Sequence, residues 1–325
     1  MRALDVDAAA DELARGGLVA FPTETVYGLG ADASRPDAVR RVFRVKGRPA
    51  DHPLIVHLAR PADLDAWARG IPPFAHRLAD LFMPGPLTLI LPRAAHVGDV
   101  VTGGRDTVGL RVPAHPLALD LIAALSRKTG RAAGIAAPSA NRFGSVSPTS
   151  ADHVRADLAG EDVGLLDGGP CAIGVESTIV DCASPTGPAI LRVGGLPREE
   201  IEAALDAPVP LATDGPARAP GMLAAHYAPR ARVIAKEASA LAEACRAARA
   251  RGERVACWSV DAPDDVDVHV PAPLDDRERA RTLYATLRAL DARGVDTIVV
   301  ELPEQRGLGS AIADRLRRAA RARPV

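Results

Sequence analysis

Short apolar runs and amphipathic stretches alternate along the first two-thirds of the chain. The runs at 18–21, 54–58, 87–91, 108–112, 132–137, 163–166, 178–181 and 190–193 read as strands. Between several of them the apolar positions return every three or four residues, the period of a helix. In 36–45, Pro36 sits near the first helical position, and Val39, Val42 and Phe43 share one face. In 116–126, Leu117, Leu121, Ile122 and Leu125 repeat that pattern. The alternation predicts an α/β fold with a large, twisted, mainly mixed sheet.

From about residue 206 the pattern stops. Pro208, Pro210, Pro216, Pro220 and Pro229 punctuate the next stretch, together with Gly215 and Gly221, so it reads as an extended linker. A second unit then follows. Strands are predicted at 233–235, 255–259 and 297–301, and helices at 238–251, 275–293 and 310–320. That β-α-β-α-β-α order implies a smaller, Rossmann-like parallel α/β domain. The expected organisation is a first domain over 1–205, a Pro-rich linker or lid over 206–231, and a second domain over 232–325.

Composition narrows the function classes. The chain has 325 residues, 47% hydrophobic and 25% charged, the balance of a soluble globular protein. Its net charge of −1 gives no overall pull toward nucleic acid or an anionic membrane. Nearly all the basic charge is arginine; Lys46, Lys128 and Lys236 are the only lysines. No apolar run approaches the length of a membrane span, and the N-terminus shows no signal-peptide pattern. Cys171, Cys182, Cys245 and Cys257 show no C-x-x-C pairing and read as buried thiols in a reducing cytoplasm.

Several stretches could carry chemistry. Lys46-Gly-Arg48-Pro places two cations two residues apart on a proline-stiffened loop, which suits a polyphosphate. The same residues would also suit a solvated helix C-terminus. Residues 136–150 are dense in small hydroxyls and include Asn141. Such a loop offers donors to phosphate, or caps the next helix through Ser147 or Thr149. Ser177 stands at the mouth of one strand, and Arg111 and Arg192 near the ends of others. Residues 28–33 match G-x-G-x-x-A, which keeps a dinucleotide site open. There is no P-loop, no G-x-S-x-G and no H-E-x-x-H.

Taken in order, the blocks F-P-T-E-T-V-Y-G-L-G-A (21–31), K-G-R-P (46–49), H-P-L-I-V-H (52–57) and P-G-P-L-T-L-I-L (84–91) resemble the YrdC-like family. So do G-L-R-V-P (109–113), A-P-S-A-N (137–141), S-P-T-S-A (147–151), E-S-T-I-V-D (176–181) and L-R-V-G (191–194). A-P-G-M-L-A-A-H-Y-A-P (219–229) and residues 307–316 resemble the linker and C-terminal domain of its two-domain long form, the threonylcarbamoyl-AMP synthases. The resemblance implies synthesis of L-threonylcarbamoyladenylate from L-threonine, bicarbonate or CO2, and ATP. That step precedes modification of an adenosine next to the tRNA anticodon.

By position, the resemblance implies that Thr25, His57, Arg111, the Ala137 backbone and Ser177 hold threonine. Arg48, His52, Thr107, Ser139, Asn141, Ser147, Arg192 and Tyr227 would hold ATP, with Lys46 and Arg48 catalytic. Tyr227 would fold over the nucleotide from the linker. Mg2+ would accompany ATP, with ligands unassigned, although Glu176 or Asp181 would be available. The product would pass to a separate tRNA threonylcarbamoyl transferase, with at most weak direct RNA contact and no membrane. An RNA-binding module without turnover is the alternative reading.

Overall fold

The computed structural model describes residues 1–212 and 227–321. Residues 213–226, the middle of the expected linker, lie outside the described residues. The described chain divides into two units. One comprises 1–143, 148–172 and 176–212; the other comprises Gly144–Ser147, Ile173–Val175 and 227–321.

The first unit is built on ten strands. They are β1 (Arg2–Ala3), β2 (Val19–Phe21), β3 (Gly28–Asp32), β4 (Ile55–His57), β5 (Leu87–Pro92), β6 (Thr107–Arg111), β7 (Ile135–Ala136), β8 (Gly164–Leu165), β9 (Thr178–Asp181) and β10 (Ala189–Arg192). They form one mixed sheet in the order β1-β8-β2-β3-β7-β4-β6-β5-β9-β10. The Pro36–Lys46 helix starts on its proline and ends at Gly47, whose φ of 64° is a left-handed cap that glycine supplies without strain. The Pro116–Thr129 helix is built the same way and ends at Gly130.

Strand periodicity decides what each face carries. Leu18, Ala20, Val56, Leu87, Leu89, Leu91, Val108, Leu110, Ala136 and Val180 point into the main core. The alternate residues point the other way. At one end of that second face, Val19, Phe21, Ile135 and Ala137 pack under the Val6–Ala14 and Pro116–Thr129 helices. Further along, Ile55, Ile90, Ile179 and Leu191 form only a small apolar patch. The positions that alternate with core residues here are His57, Thr88, Thr107 and Arg111. The sheet therefore presents polar side chains on this part of the face, beside only a small apolar patch.

The G-x-G-x-x-A match dissolves into this sheet. Gly28 and Gly30 lie inside β3, not in a strand-to-helix turn. A Cβ on Gly30 would come within 2.7 Å of Ile135 and 2.8 Å of Phe21. These glycines let the Phe21 ring lie against the strand, so no dinucleotide loop exists there.

The expected linker also begins later than its prolines imply. The Ile190 N–H donates to Pro210 O (2.8 Å), and the Ala212 N–H to Ile190 O (2.9 Å). The Val209 N–H reaches the Glu202 carboxylate at 2.9 Å, and its side chain is fully buried. Apolar Val209 ties 206–212 to the first unit.

The second unit contains the predicted three strands and a fourth: β11 (Arg232–Lys236), β12 (Val255–Ser259), β13 (Val268–Pro271) and β14 (Thr297–Glu301). They are all parallel, in the order β11-β14-β12-β13. The β13 strand has no clear apolar pattern because it is a half-exposed edge. The helices Leu241–Ala250, Asp276–Ala292 and Gly307–Ala319 complete the unit. Among the described residues, no helix is long and apolar enough to cross a membrane.

One close approach fixes the segment behind Ser177. A Cβ on Gly194 would lie 2.3 Å from Glu176 O and 2.4 Å from Thr178 N, where no flexible side chain can yield. Gly194→Ala is expected to lower stability by roughly 1–3 kcal/mol. An unchanged urea midpoint would refute this role.

Candidate active site

The loop after β2 is held by its own hydroxyls. Thr23 Oγ1 accepts the backbone N–H of Thr25 and of Val26, each at 3.2 Å, and donates to Val26 O at 2.7 Å. Its one proton is thereby spent. The 2.8 Å contact with Thr25 Oγ1 must then be donated by Thr25. Arg111 Nη2 in turn donates to Thr25 Oγ1 at 2.9 Å, and Arg111 Nε to Gly85 O at 3.3 Å. The direction of the whole chain is fixed, and Thr25 faces any ligand as an acceptor.

Arg111 has a second neighbour. Glu24 Oε1 lies 2.8 Å from the same Nη2, yet neither carboxylate oxygen makes a hydrogen bond. The contact is an ion pair out of line for hydrogen bonding, and both residues are buried. His57 stands beside Arg111 in register on β4. Burial first, and then the Arg111 charge, push its pKa down to about 3. It is a neutral imidazole at neutral pH, suited to a hydroxyl partner. Its Nδ1 makes no hydrogen bond, and Phe21 meets the ring edge-on at 5.9 Å.

A second group forms around the K-G-R-P loop. Lys46 Nζ donates to Ser139 O (2.6 Å) and to Asn141 O (2.5 Å). The Phe143 N–H donates back to Lys46 O at 2.8 Å. The loop following β7 is pinned in turn to β3: the Leu29 N–H bonds Pro138 O, and the Ala140 N–H bonds Tyr27 O, both at 2.8 Å. Lys46 is not at a solvated helix end. It is 3% exposed, and burial followed by the Arg48 charge lowers its pKa well below the usual lysine value. Two of its N–H groups are thus held by backbone carbonyls. Arg48 Nη2 donates to Pro53 O at 3.1 Å, and its guanidinium lies 5.9 Å from the Phe143 ring centre. His52 packs against the same ring, and burial followed by Arg48 lowers its pKa.

The third group joins β5, β9 and β10. Arg192 donates through Nε and Nη2 to Ser177 O (3.1 and 2.8 Å) and through Nη2 to Ser177 Oγ (3.1 Å). Thr88 Oγ1 lies 2.8 Å from Ser177 Oγ. A register shift in β10 between Ile190 and Arg192 accompanies this placement of the arginine.

The residues expected from the sequence thus fall into connected sets. Thr25, His57 and Arg111 form one. Lys46, Arg48, His52, Ser139 and Asn141 form another, and Ser177 and Arg192 a third. The Ala137 N–H donates to Ile55 O (3.0 Å) on β4, the strand that carries His57. Thr107 opens β6 on the face of Gly109 and Arg111. Ser147 and Tyr227 belong to the second unit. There Ser147 O accepts from Arg288 Nε at 3.4 Å, while the Tyr227 ring stacks on Tyr284 (5.7 Å) and under Arg315 (5.2 Å).

Sequence reasoning passed over Glu24, Thr23, Thr88 and Phe143 as site residues. Thr88 had a signal, as the one hydroxyl in an apolar strand. Asp181 accepts the Ala183 N–H at 2.9 Å within its own turn. Among the described residues, no three His, Cys, Asp or Glu side chains converge as a metal cage.

Comparison with known proteins agrees with this architecture. The Sua5/YciO/YrdC family model, described as telomere recombination, matches residues 11–194. A second, described as the C-terminal domain of threonylcarbamoyl-AMP synthase, matches 196–321. A threonylcarbamoyl-AMP synthase of Pyrococcus abyssi is 45% identical over 322 residues, which is 96% of this chain and 92% of that protein. One from Bacillus subtilis is 41% identical, over 98% and 93%. The crystal structure of Pyrococcus abyssi Sua5 complexed with L-threonine superposes with a TM-score of 0.90 at 44% identity. It covers 97% of this chain and 94% of that one.

The His57 environment sets a pH dependence. A pKa depressed from 6.5 to about 3 contributes stability that is full above pH 6.5 and is lost as pH falls toward 3. His52 and the half-buried His115, also lowered by burial, act in the same direction. The His57 ring resonances are expected to show no titration between about pH 5 and 8. An inflection near 6.5 would show that the ring is hydrated.

Proposed function

The chain belongs to the threonylcarbamoyl-AMP synthase family, and from that premise we propose how its site works. The reaction is the synthesis of L-threonylcarbamoyladenylate from L-threonine, bicarbonate or CO2, and ATP, the first step of N6-threonylcarbamoyladenosine formation in tRNA. The chain is a nucleotidyltransferase-type enzyme acting on small-molecule substrates. In our reading it works in the cytoplasm and passes its product to a separate tRNA threonylcarbamoyl transferase.

Threonine lies against the first set. Arg111 pairs with its carboxylate, His57 and Thr25 meet its polar groups, and the Ala137 backbone and Ser177 complete the pocket. The buried Arg111–Thr25–Thr23 relay carries this assignment, because it presents a fixed guanidinium beside a neutral imidazole. ATP lies along Lys46, Arg48, His52, Thr107, Ser139, Asn141 and Arg192 of the first unit.

After the threonine ammonium has lost a proton, the amine attacks the carbon of CO2 with release of a second proton, or that of bicarbonate with loss of water, and gives a carbamate. A carbamate oxygen then attacks the α-phosphorus, and pyrophosphate leaves. No side-chain nucleophile is required. Lys46 and Arg48 are already buried and oriented, so they stabilise charge on the phosphates without reorganising. Burial also keeps water from a hydrolysable mixed anhydride.

Mg2+ would accompany the triphosphate, with phosphate oxygens supplying most of its ligands and Glu176 or Asp181 available to contribute. When bound it would neutralise phosphate charge. The expected lid falls mostly on residues 213–226, which lie outside the described residues.

Pure protein is expected to release pyrophosphate from ATP only when threonine and bicarbonate are both present. Release independent of threonine would refute the reading. Arg48→Ala should lower kcat by about 10²–10³-fold. Arg111→Ala should instead raise KM for threonine with nucleotide affinity nearly unchanged. Equal loss of both affinities in Arg111→Ala would contradict the division of the site.

A further inference from the structure

We propose that Glu24 is the ammonium receptor for the amino-acid substrate, so that Glu24 and Arg111 form a preassembled pair for a zwitterion. This inference rests on the placement of threonine beside Arg111.

The argument begins with an anomaly. Glu24 is 6% exposed, yet neither carboxylate oxygen makes a hydrogen bond. A buried carboxylate normally has its lone pairs filled by N–H or O–H donors. Here the one compensating contact is the Arg111 Nη2 at 2.8 Å. A purely structural ion pair would be expected to saturate the carboxylate, as Asp32 does elsewhere in the sheet. Asp32 takes Arg131 at 2.7 and 2.8 Å, together with the N–H and hydroxyl of Ser34. The unfilled lone pairs of Glu24 are capacity for a donor that arrives later.

The neighbours identify that donor. The relay through Thr23 leaves Thr25 as an acceptor toward a ligand. Thr25 and Glu24 are adjacent in sequence, and both touch the same guanidinium nitrogen. A cation-binding acceptor pair therefore stands directly beside the anion-binding arginine. An α-amino acid carries its ammonium and carboxylate at one short, fixed separation. Without ligand, Glu24 and Arg111 neutralise each other. With ligand, the zwitterion inserts between them, each charge meets its opposite, and net charge in the pocket is unchanged. The nearby groups do not supply the missing donors. The Cys171 thiol, raised to about 12 by burial and by Glu24, remains neutral, and His115 is lowered by burial.

The test compares binding of L-threonine with 3-hydroxybutyrate, which keeps the carboxylate and hydroxyl but lacks the ammonium. It uses the full-length wild type and Glu24→Gln, with ATP affinity as a control for folding. The wild type should prefer threonine by about 10²-fold or more. Glu24→Gln should lose most of that preference, with 3-hydroxybutyrate affinity changed little. Equal weakening of both ligands would show that Glu24 only positions Arg111, and would overturn the proposal. So would unaltered threonine affinity in Glu24→Gln. If that variant does not fold, Glu24→Asp and the wild-type comparison stand in: a wild type that binds both ligands equally is sufficient refutation. A wild type that binds no threonine overturns the underlying placement, and this inference falls with it.

Discussion

A buried guanidinium must be given partners, and the organisation of this site follows from how Arg111 receives them. It lies on β6 on the face opposite the core, is 4% exposed, and takes Gly85 O from one loop and Thr25 and Glu24 from another. Its charge then acts on the rest of the pocket, helping to hold the adjacent His57 neutral. Three chain segments distant in sequence are fixed around one cation. The hydrogen bonds to Thr25 and Gly85 have their directions set before any ligand arrives, so in our reading only the Glu24 contact has to open.

The other cations obey the same constraint differently. Lys46 is satisfied by backbone carbonyls and not by a carboxylate, and Arg192 largely by the carbonyl and hydroxyl of Ser177. Carbonyl oxygens hold an ammonium in place without cancelling its charge. A phosphate can still use that charge, which a salt bridge would have neutralised. Cations held by neutral dipoles would suit nucleotide chemistry, whereas Arg111, with Glu24 at 2.8 Å, is the cation we assign to a substrate that carries both signs.

Glycines serve proximity in this fold more than phosphate binding. Gly30 makes room for Phe21, and Gly194 lets its segment press on the backbone of Glu176 and Thr178. The residues at the end of the first unit show a related economy. One buried valine and two backbone hydrogen bonds hold 206–212, although their prolines read as a linker.

By itself, the sequence determined the α/β class, the division into a mixed-sheet domain and a parallel-sheet domain, and most strands of both. Apolar periodicity is written locally, and prolines and glycines mark the ends of the Pro36–Lys46 and Pro116–Thr129 helices. Its motifs also determined the family, and most of the residues it singled out fall into three connected sets. Tertiary structure alone decided the rest. That Gly28 and Gly30 belong to a strand depends on Phe21 and Ile135 packing against them. The β13 strand exists because β12 offers an edge, not because its own pattern demands it. Glu24 reads as one acidic residue within F-P-T-E-T. Only the folded sheet brings β6 beside that loop, buries the carboxylate against Arg111, and leaves its lone pairs unfilled. Burial and hydrogen-bond satisfaction depend on neighbours far away in the chain, and no local spacing encodes them.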